Sequence, residues 1–376
     1  MVEDQYGELH PQINDNLCVK CGMCEKVCPE LKQNNLHRNG EPEIYACWLK
    51  DSEHRKESTS GGAAFAISSA VIRQGGHVWG AAYGKGMYLT YTEANTLKEL
   101  KAIQKSKYTQ CYVGEAFKTI KDELDNGDLV LFTGTGCHVK GLRSFLRKDY
   151  PNLMTADLVC HGVPGQGVFR KYKEYLESKF NDEMLTYIPR PKRETDGQEG
   201  QYYSLVYFKN KGNVKIERKD NSYFIGFQHN LFLRNACHYC QSNGKERYSD
   251  FTLADFWGLG KIAPFTHPYK ERTLGVSMLA LNSSKALVFL KKLKKDLNYE
   301  QRSYKEASIS NTQYYKSAIP SPYRDEFRNE FFNHSWDELA SKYMRFSMKE
   351  YILYIIKKFT PPYLLSYVKQ LAKWIK

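Results

Sequence analysis

The sequence predicts a mixed fold, of the α+β or α/β class, in which a small Cys-rich segment leads into a larger core and a helical tail ends the chain. Four of the ten Cys fall between Cys18 and Cys28. From Ser58 onward, apolar residues recur with alternating helix and strand periods, and the last residues are basic and amphipathic. The expected divisions are a Cys-rich segment, a core, an irregular connector and a tail, at residues 1–50, 51–296, 297–341 and 342–376.

The length and composition exclude several classes of protein. A chain of 376 residues with 41% hydrophobic and 26% charged residues can bury more than one core, and it is neither disordered nor of low complexity. No apolar run approaches the roughly 20 residues of a membrane-spanning helix, and the start Met1-Val2-Glu3-Asp4 is acidic, unlike a signal peptide. We therefore expect a cytoplasmic protein, in which clustered Cys are metal ligands and not disulfides.

The net charge of +13 does not indicate a nucleic-acid partner. Residues 342–376 hold eight Lys or Arg against one acid, Glu350, which leaves an excess of only +6 for the other 341 residues. Such a mild excess over a large body is weak support for a phosphate-binding face. We expect no nucleic acid among the partners.

The elements of the core follow from its apolar pattern. An apolar stretch after Ser58-Thr59-Ser60-Gly61-Gly62 predicts a helix, and Gly75-Gly76 separates it from a strand. Two later strands end in Gly-containing loops at 134–137 and 160–162, and Lys211-Gly212 indicates a hairpin. The expected helices are 63–73, 113–125, 169–180 and 284–296, and the expected strands are 77–83, 128–133, 157–159, 202–208, 214–218, 251–254 and 276–281.

The run Cys18-x2-Cys21-x2-Cys24-x3-Cys28-Pro29 is the pattern of bacterial ferredoxins. Three thiolates spaced two residues apart bind three corners of a 4Fe-4S cubane, and the fourth Cys usually binds a different cluster. A zinc site, with its paired spacings, fits the run less well.

Four further Cys have patterns that suit metal ligands. Cys237-x2-Cys240 is half of a site, while Cys137 and Cys160 lie in Gly-rich loops where backbone approaches a cofactor closely. The alternative for a lone Cys is a small buried hydrophobe, which is what we expect of Cys47 and Cys111. The expected ligands of two 4Fe-4S clusters are Cys18, Cys21, Cys24, Cys28, Cys137, Cys160, Cys237 and Cys240.

The run's usual behaviour predicts how these ligands divide. Cys18, Cys21 and Cys24 are expected to share one cubane, while Cys28 turns toward a second one that includes Cys237 and Cys240. The sequence does not identify the residue that supplies the fourth ligand of the first cubane.

Five ordered motifs resemble those of the coenzyme F420 hydrogenase/dehydrogenase beta subunits, a family that includes plant 7-hydroxymethyl chlorophyll a reductase and many bacterial proteins. The resemblance covers about residues 6–281. Its motifs are Ser58-Thr59-Ser60-Gly61-Gly62, Ser106-Lys107-Tyr108, Phe132-Thr133-Gly134-Thr135-Gly136-Cys137, Asp157-Leu158-Val159-Cys160-His161-Gly162-Val163-Pro164, and Cys237-x2-Cys240 with Arg247-Tyr248-Ser249-Asp250 and Asp255-Phe256-Trp257-Gly258.

The resemblance implies a flavin-binding core that holds FAD beside the 4Fe-4S centres and passes electrons between a one-electron carrier and a two-electron substrate. A Ser-Gly-Gly turn that opens a helix also offers backbone N–H groups to a phosphate, although most Gly-Gly pairs are only turns. Lys107 is expected to hold a flavin phosphate or to stabilise reduced flavin, the alternative being a solvated side chain. The implied cofactor-binding residues are Ser60, Gly61, Gly62, Ser106, Lys107, Tyr108, Gly134, Thr135, Gly136, Asp255 and Trp257.

Two departures from the family pattern bear on function. Gly136 and His138 stand where the family usually has Pro and Gln, so a role of that Gln is not carried over. The stretch Tyr6-Gly7-Glu8-Leu9-His10-Pro11 resembles the one that separates two ferredoxin runs in longer relatives. Because the first run is missing, one cluster is expected to take its fourth ligand from elsewhere.

The expected function is that of a ferredoxin-dependent flavin oxidoreductase acting on an organic substrate. By resemblance to bacterial relatives, a sugar or lipid-linked glycan intermediate of surface-polysaccharide biosynthesis is the preferred substrate. The alternative is an electron-transfer subunit that docks on a separate hydrogenase or dehydrogenase and reduces a deazaflavin coenzyme. A substrate pocket over the flavin would separate the two.

The substrate also needs a proton as the hydride arrives. His161 is the leading candidate for the proton donor, and His138 is the second, because each follows a predicted ligand and His titrates near neutral pH. The alternative for either is a hydrogen bond to cluster sulfur or flavin that tunes the potential.

The tail predicts an amphipathic helix after Pro361-Pro362 that lies on an anionic membrane surface. The alternative is a helix packed on the body or on a second subunit. A more apolar helix is expected at 351–359. One face of the tail helix carries Leu364, Tyr367, Val368, Leu371, Trp374 and Ile375, and the other carries Ser366, Lys369, Gln370, Lys373 and Lys376.

Overall fold

The computed structural model describes residues 1–31, 41–192 and 203–359. Within these ranges the strands form an eight-stranded mixed sheet, a three-stranded sheet and a two-stranded pair. The strands β1 to β13 are Val2–Glu3, Leu9–His10, Glu43–Leu49, His77–Tyr83, Leu89–Ala94, Val130–Thr135, Leu153–Leu158, Met184–Ile188, Tyr203–Phe208, Gly212–Glu217, Phe251–Asp255, Ser277–Leu281 and Leu297–Arg302.

Helices cover both faces of the large sheet and surround the small one. The helices α1 to α15 are Met23–Val27, Ser52–Glu57, Ala63–Ile72, Leu97–Ile103, Ala116–Asp125, Gly136–Leu146, Gln166–Phe180, Ser222–Gln228, Asn235–His238, Tyr269–Thr273, Ser284–Leu293, Tyr304–Ser308, Arg324–Glu330, Trp336–Tyr343 and Met348–Phe359.

The eight strands of the large sheet lie in the order β13-β3-β12-β11-β7-β6-β4-β5. The four strands β4, β6, β7 and β11 run parallel, and antiparallel strands extend the sheet at both edges. Parallel strands are buried on both faces, which explains the continuous apolar run of β6. Their carboxyl ends meet at one edge, the place where open α/β sheets bind ligands.

Side chains of β6 alternate between two cores. Leu131 packs with Ile67 of α3 and Phe289 of α11, whereas Phe132 packs with Ile120 of α5 and Val139 of α6. A third core, rich in aromatic rings, joins the three-stranded sheet β8–β10 to α7, α8 and α14. The large sheet is therefore covered on both sides.

Most predicted elements are confirmed. The helices expected at 63–73, 113–125, 169–180 and 284–296 correspond to α3, α5, α7 and α11, and the predicted hairpin is the pair β9 and β10. Ser283 caps α11 by accepting a hydrogen bond from the backbone N–H of Ala286.

The loop predicted at 134–137 is wrong. Strand β6 continues to Thr135, because Gly134 and Thr135 keep pairing with Asp157 and Leu158 of β7, and α6 begins at Gly136. Cys137 is therefore the second residue of a helix.

The predicted irregular connector at 297–341 is also wrong. Leu297–Arg302 forms the edge strand β13, which pairs with β3, and three helices follow it. The apolar residues of this stretch are few and unevenly spaced, but Leu297, Tyr314, Phe327 and Trp336 are all buried. Strand β3 likewise places residues 43–49 in the large sheet, although they were expected to belong to the Cys-rich segment.

The segment before the Cys run is packed onto the body. The Tyr6 hydroxyl donates to the carbonyl of Arg328 at 2.9 Å, and the Arg328 guanidinium lies 3.8 Å from the Tyr6 ring centroid. Gly7 has φ +67°, and a Cβ there would lie 2.0 Å from the backbone N of Gly167. This close approach requires glycine.

At the other end, the apolar helix expected at 351–359 lies within α15. The amphipathic stretch from Pro362 lies outside the described residues and stays a prediction. No helix in the described ranges combines the length and the apolar character that crossing a bilayer requires.

Candidate functional site

A cavity of about 570 Å³ lies at the carboxyl ends of β6, β7 and β11. Small-molecule and cofactor sites typically have volumes of about 300 to 1,000 Å³. Motifs from Ser58 to Trp257 converge on its wall. Of the predicted site residues, the cavity is lined by Ser60, Gly62, Ser106, Lys107, Tyr108, Gly134, Thr135, Gly136, Cys137, His138, Cys160, His161, Cys237, Cys240, Asp255 and Trp257.

Gly61, predicted to bind a cofactor, is not among the lining residues. A Cβ at Gly61 would lie 2.3 Å from the carbonyl O of Cys47 and 2.5 Å from the backbone N of Ser277. Its own carbonyl accepts a hydrogen bond from Leu49 N–H at 2.8 Å. Gly61 therefore lets the loop before α3 pack closely on β3 and β12.

Four thiols lie together on one side of the cavity. Cys137 comes from α6, Cys160 from the loop after β7, Cys237 from α9, and Cys240 from the turn after it. Burial raises the pKa of the Cys160 thiol, and the neighbouring thiols Cys237, Cys137 and Cys240 raise it further. Burial also raises the pKa of Cys237 to about 11.

Each of these four sulfurs has a group beside it that can donate a hydrogen bond to a thiolate. Such donors stabilise thiolate ligands of iron-sulfur clusters. The Sγ atoms of Cys137, Cys160, Cys237 and Cys240 lie 3.2 Å from Thr135 Oγ1, 3.4 Å from Gly162 N, 3.4 Å from Val163 N and 3.4 Å from Ser242 N.

The four sulfurs are not gathered as closely as a single tetrahedral zinc ion would hold them. Zinc holds four thiolates about 3.8 Å apart, as Zn–S bonds of about 2.3 Å require. In the described ranges, groups of three or more ligand atoms within 4.8 Å of one another are Asp4-Glu8-His10 and His77-Glu93-Glu123, and neither contains Cys. A cubane suits the wider spacing, because each thiolate then binds a different iron.

The N-terminal run presents its thiols differently. Cys21 and Cys24 are exposed, whereas Cys18 and Cys28 are half-buried. Lys20 N–H donates to Cys18 Sγ at 3.4 Å, the same arrangement that Cys160 and Cys240 have with the second residue after each. Helix α1 of this run lies beside α6, where Arg147 Nη1 is 4.0 Å from Met23 Sδ. The run is thus a neighbour of the helix that carries Cys137.

An arginine that sequence reasoning missed joins three predicted residues. Arg190, in the segment after β8, forms an ion pair with Asp255 at 2.8 Å and donates to the Tyr108 hydroxyl at 3.2 Å. Its guanidinium lies 5.2 Å from the Trp257 ring centroid. No local signal marks Arg190, because its partners come from distant parts of the chain.

A second missed feature supports the thiol site. Arg247 donates to the carbonyl of Ser242 at 2.7 Å and lies 3.5 Å from Asp157, and both members of this pair are buried. Burial raises the pKa of Asp157, while the charge of Arg247 lowers it. Because Ser242 N–H lies at Cys240 Sγ, Arg247 fixes the turn that carries this thiol.

A buried lysine holds the loop before α3 in place. Lys192 Nζ donates to the carbonyls of Arg55 and Ser60, each at 2.6 Å, and Ser60 Oγ donates to the carbonyl of Val276 at 3.0 Å. The first residues of α3 line the cavity, so the N-terminal end of this helix lies at its wall. This arrangement suits the phosphates of a dinucleotide.

The two predicted histidines have different surroundings. His138 Nδ1 lies 2.8 Å from the Tyr91 hydroxyl, and burial lowers the pKa of His138 to about 4. The Nε2 atom of His161 is buried and makes no hydrogen bond within the described part of the chain, and its ring lies 5.0 Å from Phe227. Burial lowers the pKa of His161 too, so both rings favour the neutral form.

The remaining predicted residues also have defined partners. Lys107 donates to the carbonyls of Ala102 at 3.1 Å and Gln104 at 2.5 Å, and burial lowers its pKa to about 7. Cys47 and Cys111 are buried, as expected of small hydrophobes.

Comparison with known proteins identifies two parts of the chain. Residues 127–307 match the family described as the C terminus of the coenzyme F420 hydrogenase/dehydrogenase beta subunit, and residues 10–33 match a 4Fe-4S binding domain. The four thiols beside the cavity belong to the first match, and the run from Cys18 to Cys28 belongs to the second.

One solved structure similar to the chain is a subunit of the F420-reducing NiFe hydrogenase complex from Methanosarcina barkeri, in a xenon derivative. It shares 14% sequence identity, with a TM-score of 0.46, over 83% of this chain and 91% of that one. No curated protein matches the chain. The two matches, together with the converging thiols, indicate an electron-transfer oxidoreductase that combines a domain similar to the C terminus of the coenzyme F420 hydrogenase/dehydrogenase beta subunit with a 4Fe-4S binding domain in its N-terminal part.

Proposed function

We propose that this chain is the electron-transfer subunit of a larger oxidoreductase. It binds FAD in the central cavity, carries one 4Fe-4S cluster on the run from Cys18 to Cys28, and carries a second on the four thiols beside the cavity. It passes electrons between a one-electron protein partner and a deazaflavin coenzyme. The observation that supports this most directly is that four thiols and the predicted cofactor residues line one cavity.

The family match supports this role as a subunit better than that of an independent enzyme acting on a glycan. The expected polysaccharide intermediate and the expected ferredoxin donor have no counterpart among the observations and stay predictions.

The cavity residues fit a flavin. A flavin here would exchange single electrons with the clusters and a hydride with an organic partner. The start of α3 and the loop held by Lys192 suit its phosphates. Arg190 fixes Tyr108 and Asp255 on the wall, where Trp257 offers an aromatic face.

The four thiols also supply a complete ligand set without Cys28. We therefore assign Cys28 to the cluster of its own run, in place of the expected sharing with Cys237 and Cys240. This arrangement also supplies the fourth ligand that the first cubane lacked in the sequence-based prediction.

The proton donor remains a proposal for His161, which lines the cavity and whose buried Nε2 makes no hydrogen bond within the described residues. A His161→Asn variant that keeps its flavin and iron, and is still reduced by dithionite, is expected to lose turnover by about 10²-fold. If turnover persists and only a midpoint potential moves, His161 tunes the potential instead. His138 is the weaker candidate, because its Nδ1 already contacts Tyr91.

Anaerobic purification with iron, sulfide and flavin analysis tests the cofactors. We expect about eight irons per chain, as two cubanes require, and one FAD. The reduced protein is then mixed with an oxidised deazaflavin coenzyme or with NAD, and the oxidation of the flavin is followed. Absence of flavin, or oxidation by NAD alone, would contradict the proposal.

The tail beyond Pro362 is proposed to bind an anionic membrane surface. Flotation with anionic liposomes should compare the full chain with a truncation after Phe359. An earlier cut at Ser341 would interrupt α14, whose Trp336 is buried. Equal flotation of the two proteins would exclude the membrane role.

A further inference from the structure

The hydroxyl of Thr135 makes an unusual contact for its position. Thr135 ends β6 and is the N-cap of α6. A threonine at an N-cap normally accepts a hydrogen bond from a backbone N–H two or three residues later. Here the Thr135 side chain makes no such capping bond, and its Oγ1 lies 3.2 Å from Cys137 Sγ.

The other three thiols of the site obtain their donors from the backbone. Cys160, Cys237 and Cys240 lie 3.4 Å from the N–H groups of the residues already named. A substitution cannot delete a backbone N–H without introducing proline. Among the hydrogen bonds to the four sulfurs described above, the one to Cys137 is therefore the bond that a side chain controls.

The backbone on either side of Thr135 is closely packed. A Cβ at Gly134 would lie 2.4 Å from the Tyr91 hydroxyl, and a Cβ at Gly136 would lie 3.1 Å from both Cβ and the carbonyl O of Ser242. The backbone on either side is thus packed against fixed neighbours. Burial also strengthens a hydrogen bond by lowering the local dielectric.

We propose that Thr135 sets the reduction potential of the cluster on the four thiols, by donating its hydroxyl hydrogen bond to the Cys137 sulfur. The inference rests on the proposed second cluster. A hydrogen bond to a ligand sulfur withdraws electron density and favours the reduced cluster. Thr135 is then a positioning residue that acts through Cys137. The step whose potential it sets is the transfer of one electron to the cluster, in which no bond forms or breaks.

Three substitutions test the hydroxyl. Thr135→Ser keeps the hydroxyl, and Thr135→Ala differs from the serine variant only by lacking it. Thr135→Val also lacks the hydroxyl but keeps the shape of threonine. Each holoprotein is titrated with a redox dye series and followed by electron paramagnetic resonance, with iron counted in parallel.

We expect iron content to stay unchanged, and the midpoint potential of one cluster to become more negative in Thr135→Ala and Thr135→Val but not in Thr135→Ser. The expected change is about tenfold in the ratio of reduced to oxidised cluster at a fixed potential, which corresponds to about 59 mV for one electron. The potential of the other cluster should stay the same in all variants.

Equal potentials in Thr135→Ser and Thr135→Ala, with full iron in both, would overturn the role of Thr135 and leave the proposed clusters intact. A wild-type protein with only about four irons would instead remove the second cluster, and the proposed function would fail first. If the valine variant does not fold, the serine and alanine pair still decides the question.

Discussion

The two groups of four Cys are built in opposite ways. The N-terminal run gathers its thiols within eleven residues, on a loop and a five-residue helix, and two of them are exposed. The cavity site gathers its thiols from α6, the loop after β7 and α9, with buried side chains around them. Neighbouring residues such as Leu17 and Val19 are 78% and 83% exposed at the run. The run is thus a local structure at the surface, and the cavity site is a product of the whole fold.

The first prediction separates the two groups by iron content. Cys21→Ser and Cys160→Ser should each lose about four of eight irons, since each removes a ligand of one cubane. Only Cys160→Ser should also lower the melting temperature clearly, because its cluster joins distant segments. Iron analysis and thermal unfolding of both variants measure this.

The controls for that experiment are Cys47→Ser and Cys111→Ser, which should keep all the iron. Cys28→Ser gives the most informative result. It should remove the signal of the run's cluster alone. Loss of the cavity cluster's signal instead would restore the arrangement expected from the sequence, in which Cys28 binds the second cubane.

The second prediction compares glycines of the two regions. Gly61→Ala should lower the free energy of unfolding by about 2 to 3 kcal/mol, because the new Cβ would overlap the backbone of Cys47 and Ser277. Gly22→Ala in the run has φ +69° but meets no atom within 4 Å, so it should cost about 1 kcal/mol from backbone strain alone. Denaturant unfolding of the two variants measures the difference.

Gly75→Ala is the matched control within the body, since Gly75 also has a positive φ, +75°, and open space around it. It should behave like Gly22→Ala. A cost for Gly61→Ala no larger than that of Gly75→Ala would show that the loop before α3 yields easily, contrary to the packing described.

The third prediction concerns Lys107 in the cavity wall. Its pKa falls from 10.5 to about 7, mainly through burial, so the unfolded chain holds the proton more tightly than the folded one. Stability should therefore rise with pH between about 7 and 10.5 and be flat below that range. Lys107→Met removes this dependence.

Thermal unfolding of wild type and Lys107→Met at several pH values tests this. The methionine variant should have the advantage below pH 7, and the advantage should shrink toward alkaline pH. Parallel curves would mean that Lys107 keeps an ordinary pKa in the folded protein.

The comparison also explains how much the sequence could predict. The run was identifiable because its ligands lie within one short pattern, and β4, α3 and the β9–β10 hairpin were identifiable from local periodicity. Cys137 and Cys160 were found through their glycine-containing surroundings and the family resemblance. These signals are all local or already known from relatives.

Features that depend on distant contacts were missed. The local sequence does not distinguish Arg190 from a surface arginine, because its contacts with Asp255 and Tyr108 form only in the folded chain. Strand β13 has a polar sequence because it is an edge strand, with only two of its six side chains buried. The role of Thr135 required the geometry of a helix start, where the sequence had predicted a loop.

The spread of the four cavity thiols along the chain has a consequence for assembly. Cys137 and Cys240 stand 103 positions apart, so a cluster that binds both closes a long loop, as a cross-link does. Closing such a loop in an unfolded chain costs conformational entropy. In the folded chain the paired strands already hold the two Cys close together, so the cluster does not add this cost. We expect iron to enter this site only after β6, β7 and β11 have paired, so that its capture reports a correctly folded molecule, whereas the N-terminal run can be loaded at any stage.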